Sequence, residues 1–363
     1  MDKIEKKQFV KDFRPKDDVD SIFLVKHIAV MEAKDGKNYL NLVLMDASGD
    51  LEARKWHGAQ EVYDNVAKGD YVRIRGKINN FQGRLQVIVT EVFCVSEQEV
   101  EKGDFTPRTQ GNTDKMFKSL LQIVDHVDDV YIRDLLKNIL FDSDIERRLK
   151  LWYAGKTIHH AYEGGLLEHI LSCSELALSL SKHYQVNHNF VVAGAILHDL
   201  CKIYELTEGP LVDYTDEGKL IGHLVKAVEL IDHFAGQIKN FPYETKTHLK
   251  HIIISHHGEL AFGSPKLPQS EEAFLVHLID LMDSKMNSLK TIKHADKTPG
   301  RWSQMVRHLD RVVYKPELPH YSEYVSDKAF DKSEPNSAKN NVQNDPALKY
   351  SLAKALSGFK LED

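Results

Sequence analysis

Two aspartates stand where a lone charge is costly. Asp199 follows His198 at the end of Phe190–Leu197, a run of apolar and small residues, and Asp280 lies inside the mostly apolar stretch Leu275–Met282. A carboxylate in a segment that must be buried needs a counter-charge, a set of donors or a metal. Histidines supply the rest of the pattern: His169 closing Gly164–His169, His223 after Gly222, and the pair His256-His257 after Ile252–Ser255. Of the 19 histidines, 14 fall between His159 and His294, well above an even share. Neutral imidazoles with carboxylates suit Mn, Fe, Ni, Co or Zn. One carboxylate shared by two ions about 3.5–4 Å apart is an arrangement used for in-line displacement at phosphorus.

These residues must be positioned by helices. After Asn112-Thr113-Asp114, which reads as an N-cap region, Met116, Leu120, Leu121 and Val124 recur at helical spacing, and the pattern to about Val313 is helical throughout. Residues 112–315 are expected to form one helical domain, with its motif core over 159–285. Residues 13–100 read as β. Apolar strand patterns cover Ser21–Met31, Tyr39–Asp46, Leu51–Trp56, Tyr71–Ile78 and Leu85–Phe93. Turn signals separate them at Asp35-Gly36, Ser48-Gly49-Asp50, Lys68-Gly69-Asp70 and Gln82-Gly83. A short helix is expected over Gln60–Val66. Five strands with a helix between the third and fourth is the OB-fold order. Residues 101–111 read as a linker. Pro316 to Asn344 is rich in Ser, Asn, Pro, Lys and Asp, so 316–363 is expected to be a disordered tail, with one short helix over Asp345–Phe359.

The bulk numbers narrow the field. A chain of 363 residues with 42% hydrophobic content can build two cores. No apolar run approaches the roughly 18 residues of a membrane span, and Met1–Lys7 is charged with no apolar stretch behind it. Cys94, Cys173 and Cys201 form no CxxC pair, which fits a reducing cytoplasm. A net charge of −6 argues against coating duplex DNA by bulk attraction and leaves room for a local basic groove. Oligomeric state is not legible.

The order His … His-Asp … His … His-His … Asp is the pattern of the HD superfamily. Three longer phrases sharpen it: His159–His169 (HHAYEGGLLEH), Tyr214–His223 (YTDEGKLIGH), and Ser255–Leu260 (SHHGEL) with Gly263-Ser264-Pro265. Over about residues 15–315 the chain resembles the YhaM family, bacterial 3′→5′ exoribonucleases with an OB-fold ahead of an HD domain. The resemblance implies that His169, His198, Asp199 and Asp280 bind one divalent metal and that Asp199 bridges to a second held by His223, His256 and His257. Manganese is the metal it favours, with Co, Fe or Ni as substitutes. It places Lys202 as a phosphate contact beside the catalytic Asp199. Cys201 stands where relatives often have Gly. The expected activity is hydrolysis of single-stranded RNA, and conceivably single-stranded DNA, from the 3′ end to nucleoside monophosphates. Two rivals remain: an HD phosphohydrolase of free nucleotides or cyclic dinucleotides, and a non-catalytic RNA-binding adaptor. A fused barrel favours a polymer substrate, and an intact ligand set argues against an adaptor.

Other residues carry plainer readings. His183, His188, His233, His248, His251 and His294 read as structural. His160, within the first phrase but outside the seven-residue set, is read as orienting a ligand or contacting substrate. His277, three residues before Asp280, is a candidate neighbour of that carboxylate, while Asp283 and Lys285 read as surface. In the barrel, Tyr39, Arg54, Trp56, Arg73, Arg75 and Phe81 are candidate nucleic-acid contacts, since single-strand binders combine basic grooves with stacking platforms. Phe93, Cys94 and Trp152 read as core.

Overall fold

The computed structural model describes residues 3–316 apart from 82, 83, 297 and 299. The turn at Gln82-Gly83 and the tail and short helix expected beyond Pro316 lie outside the described residues.

Five strands form the first half: β1 (Asp18–Glu32), β2 (Asn38–Asp46), β3 (Gly49–Lys55), β4 (Tyr71–Phe81) and β5 (Arg84–Val95). They close into a barrel in the order β1-β2-β3-β5-β4, with α1 (Ala59–Asn65) between β3 and β4. Inward residues such as Val25, Leu42, Ala53, Ile74 and Val87 are completely buried. Along β4 the alternation is regular at first, with Val72 and Ile74 inside and Arg73 and Arg75 outside. Opposite Thr90 the β4–β5 register shifts, between Arg75 and Gly76. Gly76 is required there, because a Cβ would collide with the Ile88 carbonyl. The bulge resets the alternation on β5. Phe93 therefore points outward beside Arg75, with the guanidinium 5.5 Å from its ring, and Cys94 is also exposed. Both had been expected in the core. Trp152 is buried as expected and donates from Nε1 to the Leu206 carbonyl.

The segment over 101–111 is not a loose linker. Val100 and Phe105 bury themselves against Ile22, Leu24, Met45 and Tyr71, with Phe105 edge-on to Tyr71 at 4.9 Å. Leu211, from the helical half, packs on the same cluster. Further along, the strap pairs Arg108 with Glu163 in a parallel bridge, and Thr109 bonds the Glu168 carboxylate. A large aromatic side chain gains more by packing than by staying in water, so a polar stretch with one phenylalanine becomes a fixed strap.

The N-terminal segment also folds in. Lys6 is buried over the Phe23 ring and bonds Asp46, Ser21 and the Ile22 carbonyl.

The helical half runs through α2 (Thr113–Val124), α3 (Val130–Leu140), α4 (Ser143–Leu151), α5 (Gly165–Tyr184), α6 (His188–Leu197), α7 (Lys202–Glu205), α8 (Asp216–Leu220), α9 (Gly222–Ala235), α10 (Tyr243–Ser255) and α11 (Glu271–Ala295). Asn112 caps α2 by accepting from the Lys115 amide, as the sequence suggested. The apolar helix α6 is the centre of this half, buried from Val191 to Leu197. At Gly194 a Cβ would strike Ile252 of α10 and Val276 of α11, so the glycine lets three helices cross closely. Helix ends at Ala295, short of the expected Val313. Asp296 accepts from Thr298, Gln304 and Lys315, and pairs of bridges (Trp302 with Tyr314, Val306 with Arg311) fold 301–315 back as a hairpin.

A candidate metal centre and a candidate nucleic-acid face

The crossing helices bring all seven sequence-predicted ligands together. His169 lies one turn into α5, His198-Asp199 follows α6, His223 opens α9, His256-His257 follows α10, and Asp280 is mid-α11. His169, His198, Asp199 and Asp280 form one tight group, and His223, His256 and His257 another. The Asp199 carboxylate lies between them. Its Oδ2 is 3.5 Å from His169 Nε2 and 3.6 Å from His198 Nε2, while Oδ1 is 3.5 Å from His223 Nε2 and 3.6 Å from His256 Nε2. Asp280 Oδ1 closes the first group at 3.4 Å from His169 Nε2.

One orientation is common to all five imidazoles. Each Nδ1 is tied to an acceptor on its outer side: His169 to Asp283, His198 to the Ala195 carbonyl, His223 to Glu205, His256 to the Ile253 carbonyl and His257 to the Phe262 carbonyl. An Nδ1–H donor leaves Nε2 as the lone pair facing the centre. The Nε2 atoms of His223 and His256 are buried with no hydrogen-bond partner. Burial holds His198 and His256 below the usual imidazole range and pushes His257 down to about 4, so these rings are neutral at pH 7. Buried, unpartnered ring nitrogens facing a carboxylate are what a divalent ion requires, and the residues fit one.

Three residues around the centre escaped the sequence reading. Asp283 is not a surface residue: it accepts from His169 at 2.7 Å and from Ser172, and its side chain is 11% exposed. Its three-residue offset from Asp280, one face of a helix, was the available signal. Glu205 accepts from both the Nδ1 and the backbone amide of His223. Burial pushes its carboxyl up, yet these bonds hold it below the ordinary range. Nothing in the sequence marked it. His159, not His160, is the partly exposed member of its doublet, its ring 5.6 Å from that of His169. Burial lowers its pKa to about 4.

His160 is buried in a left-handed conformation behind His169, its amide bonded to Asn287 and its Nε2 3.6 Å from Asp283. Lys202 Nζ donates to Asp199 Oδ2 at 2.6 Å, and burial of that carboxyl, which alone would raise its pKa, is outweighed by the lysine's charge. His277 does not reach Asp280. Its Nδ1 bonds the His256 carbonyl, and its ring packs on Gly258, fixing the His256-His257 turn. Cys173 lies under His169 at 3.7 Å from the committed Nδ1, and burial pushes its thiol up to about 11, so it packs there as a thiol.

On the barrel, four of the six candidate contacts share one patch. The Tyr39 and Trp56 rings are 4.9 Å apart, and the Arg54 guanidinium lies 5.7 Å from Tyr39 and 5.5 Å from Phe81. Trp56 and Phe81 are 44% and 47% exposed. Arg73 and Arg75 stand apart from these rings, bonded to Asp20 and, for Arg75, to Glu91.

A five-stranded barrel of this order followed by helices carrying this set of residues makes the chain an OB-fold joined to a helical HD domain. The family model described as an OB-fold nucleic acid binding domain, of the tRNA anti-codon type, matches residues 25–95, and the HD domain model matches residues 166–285. The second match indicates a metal-dependent phosphohydrolase, and the pair together suggests a hydrolase of nucleic acid. Among solved structures, the chain is similar to the second OB-fold domain of replication protein A from Methanococcus maripaludis, at 18% identity over 25% of this chain and 95% of that one, with a TM-score of 0.21. It is also similar to a replication protein A heterotrimer bound to ssDNA, at 22% identity over 22% of this chain and 58% of that one, with a TM-score of 0.18. At these scores they speak to neither activity nor partner. Among the described residues no helix is long and apolar enough to cross a membrane.

Proposed function

We propose that the protein is a divalent-metal-dependent 3′→5′ exoribonuclease acting on single-stranded RNA in the cytoplasm. The observation that carries the hydrolytic reading is the Asp199 carboxylate, whose two oxygens face two separate imidazole groups. On this reading His169, His198, Asp199 and Asp280 hold one ion, and Asp199 with His223, His256 and His257 holds a second, with manganese favoured. Bound ions would polarise phosphoryl oxygens and lower the pKa of an attacking water. The chain's own groups set that up. Asp283 and Glu205 lock two ring tautomers, His277 fixes the His256-His257 turn, and Lys202 keeps a cation at the Asp199 carboxylate where phosphate would arrive. The polymer preference is supported by the patch of Tyr39, Arg54, Trp56 and Phe81, which a free nucleotide would not need. The 3′→5′ direction rests on the resemblance to the YhaM family.

The test is a 5′-labelled RNA incubated with Mn2+. The expected product is a ladder shortening from the 3′ end with release of nucleoside monophosphates, and a stall at a 3′ hairpin. Internal cuts appearing first would refute the exonuclease reading, and faster turnover of cyclic dinucleotides than of the oligomer would favour the small-nucleotide rival.

The backing carboxylates give a second expected outcome. Glu205→Gln keeps an acceptor for His223 but loses the negative charge behind its Nδ1. Titration calorimetry with Mn2+ should show one of two ions bound about 10–100-fold more weakly and the other unchanged. Identical isotherms for the variant and the parent would remove Glu205 from the site.

A further inference from the structure

Gln86 is on the wrong side of its strand for a buried residue. On β5 the neighbouring Val87 points into the barrel, so Gln86 points out, yet it is only 4% exposed. It lines a crevice of about 400 Å³ on the outer face of the barrel, with Glu52 and Arg54 of β3, Phe81 and Arg84 at the facing ends of β4 and β5, and Gln304 of the hairpin that follows α11. Gln304 is held there by its backbone N–H, which donates to Asp296 Oδ2 at 2.9 Å. Two buried polar atoms in this crevice have no partner: Gln86 Oε1 and Arg54 Nε. A buried acceptor and a buried donor left unmade each cost free energy, and native proteins tolerate them where a ligand or water completes the bond.

The chemistry around these two atoms is specific. Gln86 Oε1 and the Glu52 carboxylate are acceptors. Arg54 and Arg84 are donors, and Arg84 stands 3.7 Å from Glu52. The half-exposed Phe81 ring offers an apolar wall beside the Arg54 guanidinium. A flat ligand with an apolar face and an edge of adjacent donors and an acceptor would satisfy all of them. Among nucleobases, guanine presents that edge: two N–H groups next to O6. Adenine and uracil each present a single donor group on their pairing edge.

We propose that this crevice is a base-reading subsite that takes one guanine of a bound single strand, stacked on Phe81 with its pairing edge on Gln86. The proposal rests on the barrel holding single-stranded nucleic acid, and it adds a sequence preference and a contribution from the helical half through Gln304.

The test uses the full chain in EDTA, so that nothing is hydrolysed, and fluorescein-labelled RNAs of about 12 nucleotides read by anisotropy: all-uridine, a UUG repeat and a UUA repeat. The UUG repeat is expected to bind about tenfold tighter than the other two, the scale of one well-made base contact. Gln86→Leu keeps the volume and removes the amide. It should erase that preference while leaving all-uridine affinity within about twofold. Equal affinity of the parent for UUG and all-uridine repeats, or a preference that survives Gln86→Leu, would overturn the subsite. Failure of the parent to bind any of the three would instead take down the single-strand reading. Should Gln86→Leu melt early by circular dichroism, Gln304→Ala on the opposite, exposed wall is read by the same affinities: a reduced UUG preference supports the subsite, and an unchanged one refutes it.

Discussion

Asp199→Ala is expected to abolish hydrolysis and to lose bound metal together. Among the described residues the carboxylate faces both imidazole sets, so its removal should weaken both at once, whereas loss of Asp280 should affect the first set alone. Metal-assisted phosphoryl transfer draws several kcal/mol from charge stabilisation, so a fall of at least about 10³-fold in turnover of bis-p-nitrophenyl phosphate is expected. The variant also leaves the Lys202 ammonium, on a side chain 14% exposed, without its carboxylate, at a cost of about 3–5 kcal/mol in stability. Asp199→Asn with Lys202→Met separates the two effects, because it removes the stranded charge and should recover the melting temperature without recovering activity. Full metal content by elemental analysis in Asp199→Ala, or activity near that of the parent, would refute the shared-carboxylate reading. His183→Ala, away from the centre, should change neither.

The second large effect is expected at the barrel. Tyr39→Ala with Trp56→Ala removes the paired rings. At about 1–3 kcal/mol per stacked base, RNA affinity should fall by roughly one to two orders of magnitude. Hydrolysis of bis-p-nitrophenyl phosphate, which is too small to span the barrel, should stay unchanged. Arg73→Ala and Arg75→Ala make the contrasting pair. Their guanidiniums are already matched by Asp20 and Glu91, so each should alter RNA affinity by less than about threefold and leave the salt dependence nearly as it was. A large loss in the arginine variants and none in the aromatic ones would move the nucleic-acid face to the β1–β4 side.

The strands and the histidine–aspartate cluster were legible because periodicity and composition are local signals. Alternation of Val72 and Ile74 with Arg73 and Arg75 marked β4, and histidines at the ends of apolar helices marked the centre. What escaped depends on contacts distant in sequence or on a broken period. The bulge at Thr90 reverses the facing of Phe93, and its one local mark, Gly76, lies on the partner strand rather than on β5. Glu205 gains its role only because α9 starts beside α7, eighteen residues on. Asp283 read as surface because it lies just past the apolar stretch Leu275–Met282, while His169 and Ser172 of α5 bond it from across the helix crossing. Phe105 and Lys6 were lost in charged stretches, where one buried side chain leaves no pattern. The hairpin after Ala295 was hidden because its fold is set by Asp296 gathering Thr298, Gln304 and Lys315.

The strap between barrel and helices is pinned at both ends, by Phe105 in the barrel's second core and by Thr109 and Arg108 on Glu168 and Glu163. A tether of that kind sets a gauge. On the proposed function, a strap held in this way would give the path from the stacking patch to Asp199 one length, and a strand shortened from its end should then let go of the barrel at a characteristic number of remaining nucleotides. Above that number each cycle would slide the same strand forward, and below it each cut would need a fresh encounter. Product lengths would then pile up at a single value, and loosening the strap with Phe105→Ala should smear that value over several nucleotides.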